Sequence, residues 1–203
     1  MFRRDFLAAS CLLLTLAPVA AHAAEGADAT EARGFIVNLH RELLAAIKAS
    51  KNPKTDPALM AIFDRALDYT YLTTETLGKN FDALTPEQRA TYGDILKRLV
   101  QASYRRNLKD PSGFEVEYAG ELPVEGAVLV QTVTKNKKNK RDKPLSVDYQ
   151  VALVSGARRV QDIATGGVSI VRNYRKQFGS IINKKGVDEL LKMMKTKLDE
   201  LDG

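Results

Sequence analysis

The chain has 203 residues, a formal net charge of +6 and 44% hydrophobic residues, which suits a folded domain with a sizeable core. It contains one cysteine and two histidines, which excludes an internal disulfide and a metal site built from several cysteines or histidines. The modest positive charge suits an anionic partner, but it equally suits no partner, since such charge mainly aids solubility.

The first residues predict a cleaved secretory signal. Two arginines precede an apolar run from Phe6 to Ala21, and residues 21–23 (Ala-His-Ala) have the small side chains that signal peptidase accepts. The run contains Pro18 and is shorter than the about 20 apolar residues of a membrane-spanning helix. We therefore expect residues 1–23 to be a signal peptide, residues 24–203 to form a single domain, and the mature protein to reside in the periplasm.

Two further features of the leader concern export. Residues 3–7 (Arg-Arg-Asp-Phe-Leu) resemble the twin-arginine motif, so export by the Sec route and by the twin-arginine route both stay open. Cys11 precedes the leucine-rich centre of the apolar run, whereas a lipidated cysteine follows the whole run, so we expect no lipid anchor.

The next part of the chain predicts helices. After a loose polar start at residues 25–30, apolar residues recur at three- and four-residue steps from Glu31 to Ser50. Asp56-Pro57 predicts the capped start of a second helix, and residues 68–78 predict a short third one. Residues 85–88 (Thr-Pro-Glu-Gln) predict a capping box that opens a fourth helix, which should end before Asp110-Pro111.

The periodicity changes to strict alternation at Phe114, which predicts strands over residues 114–119, 127–134, 146–153 and 159–165. Short turns between them favour an antiparallel meander that ends at Gly166-Gly167. Two amphipathic helices follow, over residues 169–183 and from Val187 onward. We therefore predict an α+β fold with a twisted antiparallel sheet of about four strands, wrapped by N- and C-terminal helices.

The sequence contains few of the residues and motifs that are typical of an enzyme active site. His40, the one histidine after the predicted signal, is interpreted as a polar residue on the first helix, and neither a Gly-x-Ser-x-Gly nor a P-loop motif is present. Asp148 and Asp162 leave one alternative open, an isomerase-like pocket in which a buried aspartate works with a tyrosine. We expect no catalytic residue, no metal and no cofactor.

The segment from Lys135 to Lys143 is basic and joins two predicted strands as a hairpin tip. It is either a solvated turn that protects a sheet edge or a docking patch for anionic lipid or for an acidic protein surface. Nucleic acid is not expected, since no series of aromatic residues accompanies the lysines. In the docking interpretation, the contacting residues are Lys137, Lys138, Lys140 and Arg141.

The C-terminal half resembles one family. Residues 160–171 (Val-Gln-Asp-Ile-Ala-Thr-Gly-Gly-Val-Ser-Ile-Val) and 173–178 (Asn-Tyr-Arg-Lys-Gln-Phe) are similar to the signature of the MlaC, or toluene-tolerance auxiliary, family. Residues 183–190 (Asn-Lys-Lys-Gly-Val-Asp-Glu-Leu) and 84–89 (Leu-Thr-Pro-Glu-Gln-Arg) also resemble family segments. The chain departs from the family at residues 79–81, where Lys-Asn-Phe replaces a common Arg-x-Trp, and in its lysine-rich hairpin tip.

The resemblance implies a periplasmic lipid carrier whose apolar cavity holds the acyl chains of a phospholipid and leaves the headgroup outside. It also implies a monomer that docks transiently on an inner-membrane ABC transporter with a substrate-binding ring and on an outer-membrane lipoprotein complex, and so serves outer-membrane lipid asymmetry. Two other interpretations stay open: a hopanoid carrier, as in a related branch of the family, and a periplasmic adaptor with a filled core. The expected cavity lining is Val116, Tyr118, Val130, Val147, Tyr149, Val151, Leu153, Val168 and Tyr174.

Overall fold

The computed structural model describes residues 19–107, 113–139 and 141–202, and this part of the chain forms six α-helices and one sheet. The predicted signal lies outside the described residues except for its last five positions, and Asp110-Pro111 lies outside them entirely. The helices are α1 (Val19–Ala49), α2 (Pro57–Ala66), α3 (Tyr69–Leu77), α4 (Pro86–Asn107), α5 (Ile170–Lys185) and α6 (Val187–Asp202). The strands are β1 (Phe114–Val124), β2 (Ala127–Asn136), β3 (Leu145–Val154), β4 (Ala157–Thr165) and β5 (Val168–Ser169).

The sheet is an antiparallel meander in the order β1-β2-β3-β4-β5, so the predicted α+β fold is confirmed. It has five strands where we predicted about four. Gly166 and Gly167 do not end the sheet, because both have positive φ angles (57° and 79°) and turn the chain back onto β4. Successive positive φ angles suit the tightest hairpins, and glycine adopts them without a steric penalty. The two residues of β5 then pair with Ala164 and Thr165.

The first strand is longer than the alternation predicted. It continues past Ala119 to Val124 and includes Pro123. The register with β2 shifts between Tyr118 and Gly120, which marks a bulge. Proline is tolerated here because β1 is the edge strand, where a residue can lack an N–H donor without breaking the ladder.

The first helix also begins earlier than expected, since residues 25–30 are helical and not a loose start. Alanine, the best helix former, recurs through this stretch. Asp28 and Glu31 both form ion pairs with Arg158 of β4, and the Arg158 Nη2 to Glu31 Oε2 distance is 2.9 Å. These contacts fasten the beginning of α1 to the sheet, which local periodicity alone could not reveal.

Side-chain caps start the helices where the sequence predicted them. The Asp56 carboxylate accepts a hydrogen bond from the backbone N–H of Ala58 at 2.9 Å, and Pro57 occupies the first turn of α2. Thr85 and Gln88 form the reciprocal capping box, with distances of 3.2 and 3.1 Å between side-chain oxygen and backbone nitrogen. Such caps satisfy backbone donors that have no partner within the helix.

One continuous hydrophobic core joins α1, the sheet and the helices that pack near the β4 edge of the sheet. Leu67 forms a parallel bridge with Val160, and the backbone N–H of Asp68 donates to the Val160 carbonyl at 2.9 Å, so the α2–α3 junction covers the β4 edge. None of the described helices combines the length and the apolar content that crossing a membrane requires. The buried core residues include Ile36, Leu72, Leu77, Tyr92, Leu96, Val128, Val130, Val151, Val160, Val171, Phe178, Leu190 and Met194.

Candidate functional site

One face of the sheet, the inner face, carries most of the predicted lining residues. Tyr118 of β1 pairs with Thr132 of β2, which pairs with Val147 of β3, and the next rows pair Val130 with Tyr149 and Val128 with Val151. Directly paired residues in an antiparallel sheet have their side chains on the same face. The register therefore places eight of the nine predicted residues on the inner face: Val116, Tyr118, Val130, Val147, Tyr149, Val151, Leu153 and Val168.

These eight residues differ in depth. Val130 and Val151 are fully buried in the core, whereas Leu153 is 60% exposed and Val168 is 59% exposed at opposite ends of the inner face. The ninth residue, Tyr174, lies on α5, where its ring stacks on Phe178 with the centroids 5.1 Å apart. The alternation of apolar and polar residues in the sequence thus indicated which side chains share a face. How deeply each side chain is buried depends on which helix covers it.

His40 of α1 is the polar centre of the contact between the helix and the inner face. Its Nδ1 lies 2.9 Å from the Tyr118 hydroxyl and its Nε2 lies 3.1 Å from the Tyr149 hydroxyl. Arg33, two turns earlier on α1, forms an ion pair with Glu121 of β1, and its guanidinium lies over the Tyr118 ring. Polar contacts therefore tie the middle of α1 to β1 and β3.

Burial controls the protonation of this cluster. Desolvation lowers the pKa of His40 and raises the pKa values of Tyr118 and Tyr149, so all three groups are neutral at pH about 7. A neutral imidazole donates from one ring nitrogen and accepts at the other. One tyrosine hydroxyl therefore accepts from His40 and the other donates to it, so His40 and both hydroxyls are hydrogen-bonded within the half-buried contact.

His40 lies on the first helix, as the sequence predicted, but the sequence interpretation did not foresee that its half-buried side chain bridges two strands. A signal for this was available. His40 follows the buried Ile36 by four residues and precedes Leu43 and Leu44 by three and four, so it lies on the apolar face of α1.

Helices α2 and α4 complete an apolar wedge against the inner face. Phe63 of α2 stacks on Tyr104 of α4 with the ring centroids 4.2 Å apart, and Tyr104 lies close enough to Tyr149 to contribute to its raised pKa. Val100, four residues before Tyr104 and therefore on the same side of α4, is half-buried against the core. We call the region between His40, Phe63, Tyr104 and the inner face the wedge.

The basic hairpin tip between β2 and β3 is ordered by side-chain amides. The Asn136 side-chain oxygen accepts from the backbone N–H groups of Lys138 and Asn139, and the amides of Asn136 and Asn139 both donate to Asp142. This arrangement leaves the predicted docking residues Lys137, Lys138 and Arg141 exposed, while Lys140 lies outside the described residues.

The opposite, outer face of the sheet holds the two carboxylates of the enzyme alternative. Asp148 and Asp162 line a cleft of about 460 Å³ between this face and the α3 and α5 helices. Asp162 accepts hydrogen bonds from the Ser169 hydroxyl and from the backbone N–H groups of Ile163 and Val171. It therefore holds the start of α5 against β4, a structural role that the sequence did not indicate.

The contrast between the two carboxylates gives a stability prediction. We expect Asp162→Ala to lower the free energy of unfolding by about 2–3 kcal/mol, since three donors lose a charged acceptor. Asp148 forms no side-chain hydrogen bond or ion pair with the described residues, so Asp148→Ala should change it by less than about 0.5 kcal/mol. Urea denaturation followed by circular dichroism measures both variants. Equal losses would show that Asp162 does not anchor α5.

No cluster of three or more histidine, cysteine, aspartate or glutamate side chains suited to a metal ion occurs among residues 19–107, 113–139 and 141–202. The polar groups of the wedge are the phenols, the imidazole and the Thr132 hydroxyl, which donates to the Val147 carbonyl, and the other side chains packed there are mainly apolar. Such a surface suits an apolar ligand with few polar atoms.

The chain is similar to known proteins in sequence and in fold. A family model described as "MlaC protein" matches residues 38–196. Among solved structures, the chain is similar to a phospholipid-binding protein from Ralstonia solanacearum that was determined in complex with a phospholipid. The two share 22% sequence identity and superpose with a TM-score of 0.73 over 85% of this chain and 99% of that one. At this identity the likeness establishes the shared fold.

Proposed function

The chain belongs to the MlaC family, and from this premise we propose that it is a periplasmic carrier that holds the acyl chains of a phospholipid in the wedge under α1. The observation that carries the proposal is the inner face, where the register assembles one apolar surface beneath an amphipathic helix. A protein of the same fold binds a phospholipid, which supports the same class of ligand here.

The energetics of lipid transfer explain why a carrier needs such a surface. Each acyl methylene exposed to water costs about 0.8 kcal/mol, so a tail of about 16 carbons costs roughly 12 kcal/mol. Transfer across an aqueous compartment therefore needs an apolar enclosure, and it needs no catalytic residue. The proposal is accordingly a binding and release function.

The wedge must open for lipid to enter. Ile36 of α1 and Val130 and Val151 of the sheet are fully buried in one packed cluster. Acyl chains reach the inner face once α1 moves away from it, while the β4 edge stays fastened to the other helices. This movement breaks the hydrogen bonds of His40, the ion pair between Arg33 and Glu121, and the ion pairs that fasten the beginning of α1 to Arg158. Helix α1 would thus act as a cover over the acyl-chain site.

Membership of the family also suggests where the cargo is exchanged. We propose that the chain exchanges phospholipid with an inner-membrane ABC transporter that has a substrate-binding ring and with an outer-membrane lipoprotein complex, while remaining a monomer between dockings. The acyl chains would contact the residues of the inner face, and Tyr174 would contribute from α5. The net positive charge suits exchange at surfaces rich in anionic groups.

Native mass spectrometry of the exported protein, purified without detergent, tests the proposal. We expect a polypeptide that begins at Ala24, with about one phospholipid bound per chain, and lipid extraction then identifies the headgroup. A bound hopanoid in place of phospholipid would show that the protein is a hopanoid carrier, as in the related branch of the family. A bare mass that stays unchanged after incubation with liposomes would refute the carrier and favour an adaptor with a filled core.

A further inference from the structure

One end of the inner face extends beyond α1 and exposes apolar side chains. Val116, Thr134 and Leu145 form one cross-strand row, and Val147, Thr165 and Val168 form the next. Phe114 lies on the same face one cross-strand row further toward the hairpin tip, where it pairs with Asn136. The exposed fractions are 40% for Phe114, 38% for Val116, 47% for Leu145 and 59% for Val168. These four residues, which we call the apolar rim, continue the wedge surface into solvent.

The basic hairpin tip lies immediately beyond the apolar rim. Leu145 follows the tip after one intervening residue, Pro144, and the aliphatic part of Lys138 lies against Gly113, next to Phe114. The single acidic residue of the tip, Asp142, is held by the amides of Asn136 and Asn139. The hairpin tip thus carries an excess of positive charge on exposed side chains, which are Lys137, Lys138, Arg141 and Lys143.

An anionic bilayer surface matches the combination of an apolar rim and exposed cations, because it offers both acyl chains and negative headgroups. Basic residues near such a surface are attracted by about 1 kcal/mol each, and exposed apolar side chains gain by entering the acyl boundary. Long lysine side chains adapt to this boundary, because their stems lie along apolar groups while the ammonium stays among the headgroups. An acidic protein surface would use the cations but would leave the four apolar side chains unmatched.

We propose that the apolar rim and the basic hairpin tip form a membrane-docking surface that seats the protein on an anionic lipid bilayer. The rim continues the inner face, so docking places the opening of the wedge at the level where acyl chains begin. The inference rests on the proposed lipid-carrying function for its purpose, but docking itself is measured separately from cargo binding.

Co-sedimentation of the exported protein with vesicles tests the surface. We expect binding to vesicles that contain phosphatidylglycerol, and much weaker binding to vesicles of phosphatidylcholine alone. Lys137→Ser combined with Lys138→Ser should weaken binding about 20- to 30-fold and reduce its dependence on salt. Leu145→Ser should weaken it severalfold with the salt dependence unchanged, since it removes an apolar contact.

A matched variant controls for net charge. Lys184→Ser combined with Lys185→Ser removes the same charge from exposed positions in the last turn of α5 and should leave vesicle binding within about twofold of wild type. Equal weakening by the two double variants, or equal binding to both kinds of vesicle, would overturn the proposal. The absence of wild-type binding to either kind of vesicle would overturn it as well.

The same samples separate docking from cargo binding. Native mass spectrometry of the tip variant should show wild-type lipid occupancy, because the substituted lysines lie outside the wedge. Vesicle binding by a protein that carries no lipid would refute the carrier proposal while keeping the docking surface. A tip variant that loses cargo as well would show that these lysines hold the bound lipid itself, which contradicts a purely docking role.

Discussion

The Val147→Glu variant is expected to retain at least about tenfold less phospholipid than the wild type, because it places a carboxylate against acyl chains that cannot solvate it. Val147 lies on the inner face between Thr132 and Thr165, at the boundary between the buried wedge and the apolar rim. It is half-buried, so without lipid the new carboxylate can still reach water and the fold should survive. Native mass spectrometry measures the occupancy, and circular dichroism confirms folding.

The neighbouring residue supplies the control for this variant. Ser146→Glu introduces the same side chain one position earlier on β3, where strand alternation directs it to the outer face. Ser146 is also half-buried, so the two substitutions are comparable in exposure. Equal lipid occupancy in both variants would exclude the inner face as the acyl-chain site. If Val147→Glu unfolds, Val116→Glu repeats the test at the more exposed rim.

The inner face was predictable from sequence because strand alternation is a local property. Val147, Tyr149 and Val151 alternate with polar neighbours, and this spacing fixes their common side whatever the strand pairs with. The helix caps at Asp56 and Thr85 were predictable for the same reason, since each needs residues only two or three positions away. Depth was not predictable, because burial depends on where α1 crosses the sheet.

The features that the sequence did not reveal depend on distant partners. His40 contacts side chains 78 and 109 residues further along the chain. Asp162 resembled a potential acid–base residue until the turn at Gly166-Gly167 placed Ser169 within reach of its carboxylate. β5 has two residues, too few for any periodicity to register, and only its pairing with β4 defines it. In each case tertiary contact assigns a role that the residue type alone leaves open.

The His40→Ala variant should lower the free energy of unfolding by about 1–3 kcal/mol near neutral pH, since it leaves the half-buried Tyr149 hydroxyl without its hydrogen-bond partner. Tyr149→Phe removes that hydroxyl, so adding it to His40→Ala should cost less than it does in the wild type. The double-mutant cycle, measured by urea denaturation, isolates the contact. Additive effects of the two substitutions would contradict the hydrogen bond.

The pH dependence of this contact has a defined sign. Burial lowers the pKa of folded His40 below its ordinary value of 6.5, so the unfolded chain takes up the proton first as the pH falls. His40 therefore makes no pH-dependent contribution well above 6.5, and it destabilises the fold progressively as the pH falls below that value. The neighbouring Tyr104, Tyr118 and Tyr149 have raised pKa values and stay neutral throughout, and Arg33 and Arg41 lie close enough to Tyr118 to oppose the rise of its pKa.

One imidazole makes this prediction directly measurable. His40 is the sole histidine in residues 24–203, so the imidazole signals in an NMR titration of the mature protein belong to it. We expect a midpoint below 6.5 and a steeper loss of stability on acidification in the wild type than in His40→Ala. A midpoint above 6.5 would mean that the contact favours the charged ring. Because the same hydrogen bonds hold α1 on the inner face, acidification that weakens them should also speed the exchange of bound lipid, whereas lipid exchange in His40→Ala should lack this acceleration.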